Sequence, residues 1–571
     1  MNKQSKVFSI FIIVLILNII SNYLNFKIDL TEDKKYTLSE NSKEILSNVD
    51  DIISVKVYLN GELPSGFQML KTSIKNFLTN ISNQNKLIEF EFIDPNDEDK
   101  NKREEIYKQL QDQGLYPTDL TIKKNNETSR KIIFPGAIMY YKEKREVINL
   151  LENNFSISSQ ENINNSIENI EFHIISAIDK ITRTKKDNIA FITGNGQLSS
   201  NQIFDITNSV NGDNNNLNYY YNVDEFNIKE FEYDSTNNQP NISLQLKNLN
   251  RYKLIIIAKP TIPFNKLDKF LIDQYVMNGG KLLLLIDGAI AALDSLNNKN
   301  GYFVSIKNDL NLDDQLFKYG VRVNPNLVQD LRSTEIPIVT GYSNNRPIQE
   351  LFKWPYYPLV SSNINHPISK NIDGIKCDFI SSIDTIKNNI KKTILLESSI
   401  NSRVVQTPTK VSLGIIENPP PSESFNKSNL PLAVLLSGRF TSVFKNRIVP
   451  KNNNIKFKNE SDSTSIIVVS DGDLIANEEL KNGNIYPLGY DKYINFIFEG
   501  NKKFLMNSIQ YLTDNSGTIK LRSKNIKLRL LDNKLINENK NLIVLINLLL
   551  PLLIFLLTIL FLNKIYKIKY D

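Results

Sequence analysis

The sequence predicts an α/β protein, with two extracytoplasmic α/β domains carried between an N-terminal and a C-terminal transmembrane helix. Three observations lead there. Apolar runs stand near both ends, at residues 7–24 and 542–562. Between them, short β-branched runs alternate with segments whose apolar residues recur every three or four positions. The later runs, 254–258 and 282–286, are continuously apolar, as strands buried on both faces of a parallel sheet are.

The first run, at about 1.5 Å per residue, is just long enough to cross a bilayer. No small-residue cleavage site follows it, so it reads as an uncleaved anchor and not a signal peptide. The second run has no charged residue, and only Asn547 and Thr558 are polar beyond Pro551. Lys3 and Lys6 precede the first run, and Lys564, Lys567 and Lys569 follow the second. The positive-inside rule therefore puts both termini in the cytoplasm, against an opposing signal from Lys27, Lys34 and Lys35 after the first run and Lys540 before the second. The bulk is then periplasmic and the membrane is the inner one. The expected organisation is an anchor at 1–24, a first α/β domain at 25–186, a second with insertions at 187–515, a connector at 516–540, and a helix with its tail at 541–571.

In the first domain, Ser39 is placed to cap a short helix. A strand at 53–59, a helix carrying Phe67, Leu70, Ile74, Phe77, Leu78 and Ile81, and a strand at 87–93 make a β-α-β unit with parallel strands. A charged helix at 98–113 and four short strands follow, then a helix carrying Ile167, Ile170, Ile174, Ile178 and Ile181. The second domain opens with a strand at 188–193 and a Gly194-Asn195-Gly196 turn. A helix at 266–278 ends at Gly279-Gly280. Strands at 432–436 and 466–469 and a helix at 503–512 complete it.

Composition narrows the function. Sixty-eight basic residues against 62 acidic ones give a net charge of +6, too small an excess to argue for nucleic acid. Two histidines, His173 and His366, cannot supply a His-rich metal site. The lone Cys377 lies in an alternating strand, not at a sharp strand-to-helix turn, and reads as buried structural cysteine.

Gly194-Asn195-Gly196 stands where phosphate loops occur, but Ser199 replaces the third glycine, and a plain turn is the better reading. Asp287, Asp471 and Asp473 follow apolar strands, where ligands of parallel sheets bind and where carboxylates suit Mg²⁺. They could equally be turn formers and caps. Trp354, Tyr356 and Tyr357 form an aromatic, proline-rich loop, either a partner surface or a loop tucked on its own domain.

Several stretches together resemble one family. They are Asp29-Leu-Thr-Glu-Asp-Lys-Lys-Tyr-Thr-Leu-Ser39, Phe134-Pro-Gly136, Tyr275-Val-Met-Asn-Gly-Gly-Lys281, Phe317-Lys-Tyr-Gly-Val321, Trp354-Pro-Tyr-Tyr-Pro358, Ser470-Asp-Gly-Asp473 and Pro487-Leu-Gly-Tyr-Asp491. In order and spacing they resemble the gliding-motility-associated ABC transporter substrate-binding family GldG of Bacteroidetes. The resemblance implies a non-enzymatic accessory subunit, without cofactor, that works with an ABC permease and an ATP-binding subunit in gliding motility. It also implies that the second domain is similar to the class I glutamine amidotransferase-like fold. Where that family shows Gly-His-Gly-Glu, this chain has Gly194-Asn195-Gly196-Gln197, which removes both titratable groups from the turn. Two alternatives stay open from the residues. An anchored metal-dependent hydrolase requires Asp287, Asp471 and Asp473 to converge. A periplasmic ligand-binding receptor requires a pocket between the two domains.

Overall fold

The computed structural model describes residue 12, residues 37–523 apart from short breaks at 98, 125–126, 153, 155–156, 234–238, 299, 345, 363–364, 450–455, 481–482 and 515, residue 536, and residues 539–570. The expected N-terminal anchor lies outside the described residues. The chain divides into two units, one comprising Tyr36–Lys524 and the other the two terminal segments.

The larger unit begins with α1 (Glu40–Ser47), whose Ser39 cap accepts from the Ser42 N–H as its position predicts. Next come β1 (Ile53–Val57), α2 (Ser65–Gln84) and β2 (Ile88–Phe92). β1 and β2 are parallel, Ile53 opposite Ile88, as the β-α-β reading requires. The α2 residues Phe67, Leu70, Ile74, Leu78 and Ile81 are buried on one stripe. After α3 (Lys100–Asp112), β3 (Thr118–Lys124) and β4 (Glu127–Ile133) form a separate hairpin. β5 (Gly136–Tyr141) and β6 (Lys144–Asn149) then close a four-stranded sheet in the order β2-β1-β5-β6. The isoleucine-rich helix is two helices, α4 (Ser159–Glu168) and α5 (Ile170–Thr182), broken at Asn169.

A seven-stranded sheet follows. β7 (Asn188–Thr193), β8 (Asn222–Asn227), α6 (Ile242–Leu249), β9 (Leu254–Ala258), α7 (Lys266–Met277) and β10 (Lys281–Leu285) come first. The chain then leaves the sheet for an excursion of short strands that includes the long ribbon of β11 (Ser333–Ser343) and β12 (Arg346–Ser362), with β13 (Ile372–Lys376) beside it. It returns as β14 (Lys391–Glu397), β15 (Pro431–Thr441) and β16 (Glu460–Val469), and α8 (Gly500–Thr513) packs last. The order across the sheet is β14-β15-β16-β10-β9-β7-β8.

Five neighbouring strands, β16 to β8, are parallel. β15 and β14 are antiparallel, so the sheet is mixed where the sequence predicts a parallel one. Among the described residues between Thr441 and Glu460 there is no amphipathic helix to carry a parallel crossover, and β15 and β16 pair antiparallel.

Both faces are covered. Phe191, Ile256, Leu283, Leu435 and Ile467 pack with Phe504, Leu505 and Ile509 of α8. The alternate residues Ile192, Ile257, Leu284, Val434 and Val468 pack with Phe270, Leu271 and Tyr275 of α7.

Trp354, Tyr356 and Tyr357 lie within β12 and not in a loop, and all three are buried. Glu335 pairs with Lys353 and Ser333 with Pro358, so residues 354–357 fall in a break of the ladder. Pro355 sits in that break, where its missing N–H forfeits no ladder bond. Two prolines read as loop in the sequence, but Pro355 falls in the break and Pro358 resumes the ladder opposite Ser333.

In the other unit, α9 (Lys540–Tyr570) holds Pro551 in its interior. Its segment Lys540–Leu562 is long and apolar enough to cross a membrane.

Leu283 lies fully buried in the central strand β10, whereas Tyr342, near the end of the ribbon, is 74% exposed. Leu283→Ala should destabilise the detergent-solubilised protein by about 2–5 kcal/mol. Tyr342→Ala should leave the urea midpoint unchanged.

Candidate functional site

Because both faces of the seven-stranded sheet are sealed, its polar side chains collect where the parallel strands end. Asp287 follows β10 and Asp471 follows β16, with Gly472-Asp473 completing that turn. The structure brings the three carboxylates together, with one oxygen of each within 4.8 Å of the others. The geometric requirement of the hydrolase alternative is met.

Each carboxylate is nonetheless already engaged. Asp471 Oδ1 accepts from the N–H groups of Asp473 (2.8 Å) and Leu474 (3.1 Å), and its Oδ2 from the N–H of Asp378 (2.8 Å). Asp287 Oδ1 accepts from the N–H of Gly472 at 2.6 Å. Asp473 receives the ammonium of Lys259, the residue directly after β9. The Asp378 and Gly472 N–H groups and Lys259 thus pin separate loops to one another, while the Asp473 and Leu474 N–H groups close the Asp471 turn.

The electrostatics follow from this crowding. Burial and the neighbouring Asp473 push Asp287 up to about 7 from the usual 3.8. Burial pushes Asp378 up to about 6, against the pull of Lys376, and Asp471 well above its usual value. Burial lowers the Lys259 ammonium, but Asp473, Asp287 and Asp471 outweigh that and leave it raised. Burial and mutual repulsion thus favour the protonated forms of Asp287, Asp378 and Asp471 around one ammonium. The three aspartates have the oxygen chemistry to hold a divalent cation, in competition with Lys259.

The same strand ends open into a cleft of about 780 Å³, which Asp473, Asp378, Lys259, Lys376 and Tyr357 help to line. Lys376 lies 3.8 Å from Asp378 and 3.5 Å from the buried Asp491, with its ammonium over the Tyr357 ring. Tyr357 therefore joins the aspartates. Trp354 and Tyr356 do not line this cleft. They pack behind it, in the apolar cluster that Tyr357 and Phe379 share with Leu327.

The Gly194-Asn195-Gly196 turn stays apart from the aspartates. The Asn195 side-chain amide donates to Pro263 O and Asp268 Oδ2, both at 3.2 Å, and its backbone carbonyl accepts from the Thr261 and Ile262 N–H groups. A Cβ on Gly196 would come within 2.2 Å of Thr261 Oγ1. The turn latches the start of α7.

The residual candidates are equally structural. Cys377 is fully buried and burial raises its thiol. His366 is lowered to about 4 by burial, and its Nδ1 accepts from the Ile368 N–H. His173 bonds Glu152 at 3.0 Å.

Lys259, Lys376, Asp378 and Asp491 are the site residues the sequence reading did not single out. Lys259 obeys the rule that selected Asp287 and Asp471, a polar residue directly beyond a buried parallel strand. Lys376 and Asp378 arrive on β13 and the residues just after it, where no local pattern marks them.

Residues 186–508, more than half of the chain, match the family described as an ABC-type uncharacterized transport system. The chain belongs to this family. The matched segment of this ABC-type transport protein opens two residues before β7 and ends inside α8, and so contains the whole aspartate site. Residues 32–140 match a second family, a domain of unknown function. An uncharacterized protein of Borreliella burgdorferi is 23% identical over 97% of each chain. Among solved structures, the mmIFT52 N-terminal domain is similar over 57% of this chain and 98% of that one, at 15% identity and a TM-score of 0.31. The family match makes the protein an auxiliary component of an ABC-type transport system, without assigning it to gliding motility or to Bacteroidetes.

Two outcomes follow for the site. A carboxylate raised in the folded state keeps a proton that the unfolded chain releases near 3.8. Stability from Asp287 and Asp378 is therefore present at low pH and lost as pH climbs from about 4 to about 7. Asp287→Asn, which keeps an oxygen for the Gly472 N–H, should flatten the fall of the thermal midpoint over that window. An unchanged slope would refute the raised Asp287 carboxyl. A Cβ on Gly472 would come 2.6 Å from Lys259 Cγ. Gly472→Ala should therefore displace the lysine and lower the unfolding free energy read by chemical denaturation by about 1–3 kcal/mol, the usual cost of overpacking.

Proposed function

We propose that the protein is a non-enzymatic accessory subunit of an ABC transporter, anchored by two spans in the inner membrane with both termini cytoplasmic. Its α/β body is extracytoplasmic and contacts a permease that works with a separate ATP-binding subunit. The observation that carries this reading is the pairing of an ABC-type transport family match with an apolar 23-residue segment in the same chain. The self-compensation of the aspartates by Lys259 and by backbone donors supports the absence of an enzymatic role. Gliding motility forms no part of the proposal, since neither the family description nor the Borreliella burgdorferi relative carries it.

The convergence of Asp287, Asp471 and Asp473 favours one other reading, an anchored metal-dependent hydrolase. A single preparation separates the two. Full-length tagged protein is purified from native membranes in mild detergent, and its companions are identified by mass spectrometry. Co-purification of a permease and an ATPase is the expected result. Isolation of the protein alone, together with saturable binding of Mn²⁺ that Asp471→Asn abolishes, would replace the accessory reading with the hydrolase one.

A further inference from the structure

Another cleft of the body carries charge of the opposite sign. It measures about 820 Å³ and lies where the four-stranded and seven-stranded assemblies meet. The β5–β6 hairpin lends it Lys142, Lys144 and Arg145. The end of α5 and the segment after it lend Lys180, Arg183, Lys185 and Lys186, and α8 lends Lys503. Among the described residues, Glu143 and Asp514 are the only acidic ones of the lining. Eight cations against two anions leave a formal excess of six, equal to the net charge of the whole chain, +6.

Half of these cations have anionic partners. Lys142 meets Asp50 at 3.3 Å, Lys180 meets Glu146 at 3.9 Å, Arg183 meets Asp179 at 2.5 Å and Lys503 meets Glu499 at 2.9 Å. Lys144, Arg145, Lys185 and Lys186 have no carboxylate within 4.0 Å among the described residues. Among the described residues Lys144 reaches only the backbone carbonyls of Ile181 and Arg183, and Lys186 only that of Asn218. Like charges gathered in a concave site repel one another and focus a positive potential into it. Asn507 and Gln510 add neutral hydrogen-bonding groups, and the edge-to-face pair of Tyr219 and Tyr220 adds an aromatic wall. Guanidinium and ammonium groups flanked by amides are the donors that phosphate oxygens take.

We propose that this cleft binds a phosphorylated anion, offered either by a soluble phosphate compound or by the headgroup of an anionic lipid. The inference goes beyond the accessory-subunit reading and does not depend on it. It gives the receptor alternative raised by the sequence a defined place in the fold.

The test is calorimetric titration of inorganic pyrophosphate into the full-length protein, in nanodiscs of phosphatidylcholine alone or mixed with phosphatidylglycerol. Saturable binding that falls as salt is added is expected. The double variant Lys185→Glu, Lys186→Glu, at exposed positions, should weaken it by about tenfold or more. Lys445→Glu, whose ammonium pairs with Glu460 outside the cleft, should not. Arg145→Gln is a milder second variant with the same expected direction. Equal binding in both nanodiscs identifies a soluble phosphate compound, and suppression by phosphatidylglycerol identifies the lipid headgroup. Absence of saturable binding, or binding that the double variant retains in full, overturns the proposal.

Discussion

Burial of both faces of the seven-stranded sheet is the constraint on which the rest of the body depends. Ile466 and Val468 face one apolar layer, Ile467 and Val469 the other, and the same alternation runs through β9, β10 and β15. A polar side chain on either face would have to be desolvated without a partner. Charged groups can therefore gather only where strands give way to loops. The turns after β9, β10 and β16 end side by side, which forces Lys259, Asp287, Asp471 and Asp473 into one small volume. Their hydrogen bonds to one another's loops make the crowding tolerable, and those same bonds keep the strand ends in register. Lys259 has a left-handed backbone (φ 49°) that a non-glycine residue adopts only when its surroundings hold it there. Asp473 on one side and Gly472 on the other do so.

A second tie fixes the opposite layer. The Asp273 carboxylate, on the buried side of α7, accepts from Tyr319 and from the Ser442 hydroxyl and Val443 N–H just beyond β15. One helix is thereby fastened both to the excursion that follows β10 and to the antiparallel edge of the sheet. This is how the excursion, some hundred residues long by chain position, stays attached to a sheet it does not join.

The sequence made the alternation of strands and amphipathic helices legible because it depends on nearest neighbours. The parallel β1–β2 pair, the Ser39 cap and the continuous runs of β9 and β10 needed nothing else. What depends on residues far apart in the chain was less legible. The antiparallel edge formed by β14 and β15 follows from how the chain returns after its excursion, which no local pattern encodes. The convergence of Asp287 with Asp471 and Asp473 was legible as a possibility, from their common position after apolar strands. Its neutralisation by Lys259 was not singled out, although that lysine holds the same kind of position. The aromatic stretch at Trp354 was misread because prolines signal loops on average, while a ladder break specific to this fold lets Pro355 sit in a strand.

The membrane segment holds one more consequence, in Pro551. Proline has no N–H, so the carbonyl four residues earlier, that of Asn547, lacks its usual helical donor. Asn547 and Thr558 are also the only residues with polar side chains in the apolar stretch 542–562. If the helix crosses a bilayer, as its length and apolarity allow, an orphaned carbonyl and a carboxamide share one turn with hydrocarbon otherwise around it. Lipid tails can satisfy neither group, whereas a hydroxyl or amide on a neighbouring helix, or a trapped water, can satisfy both. The bilayer therefore makes this helix selective about what lies beside it, a property that a simple greasy tether does not have.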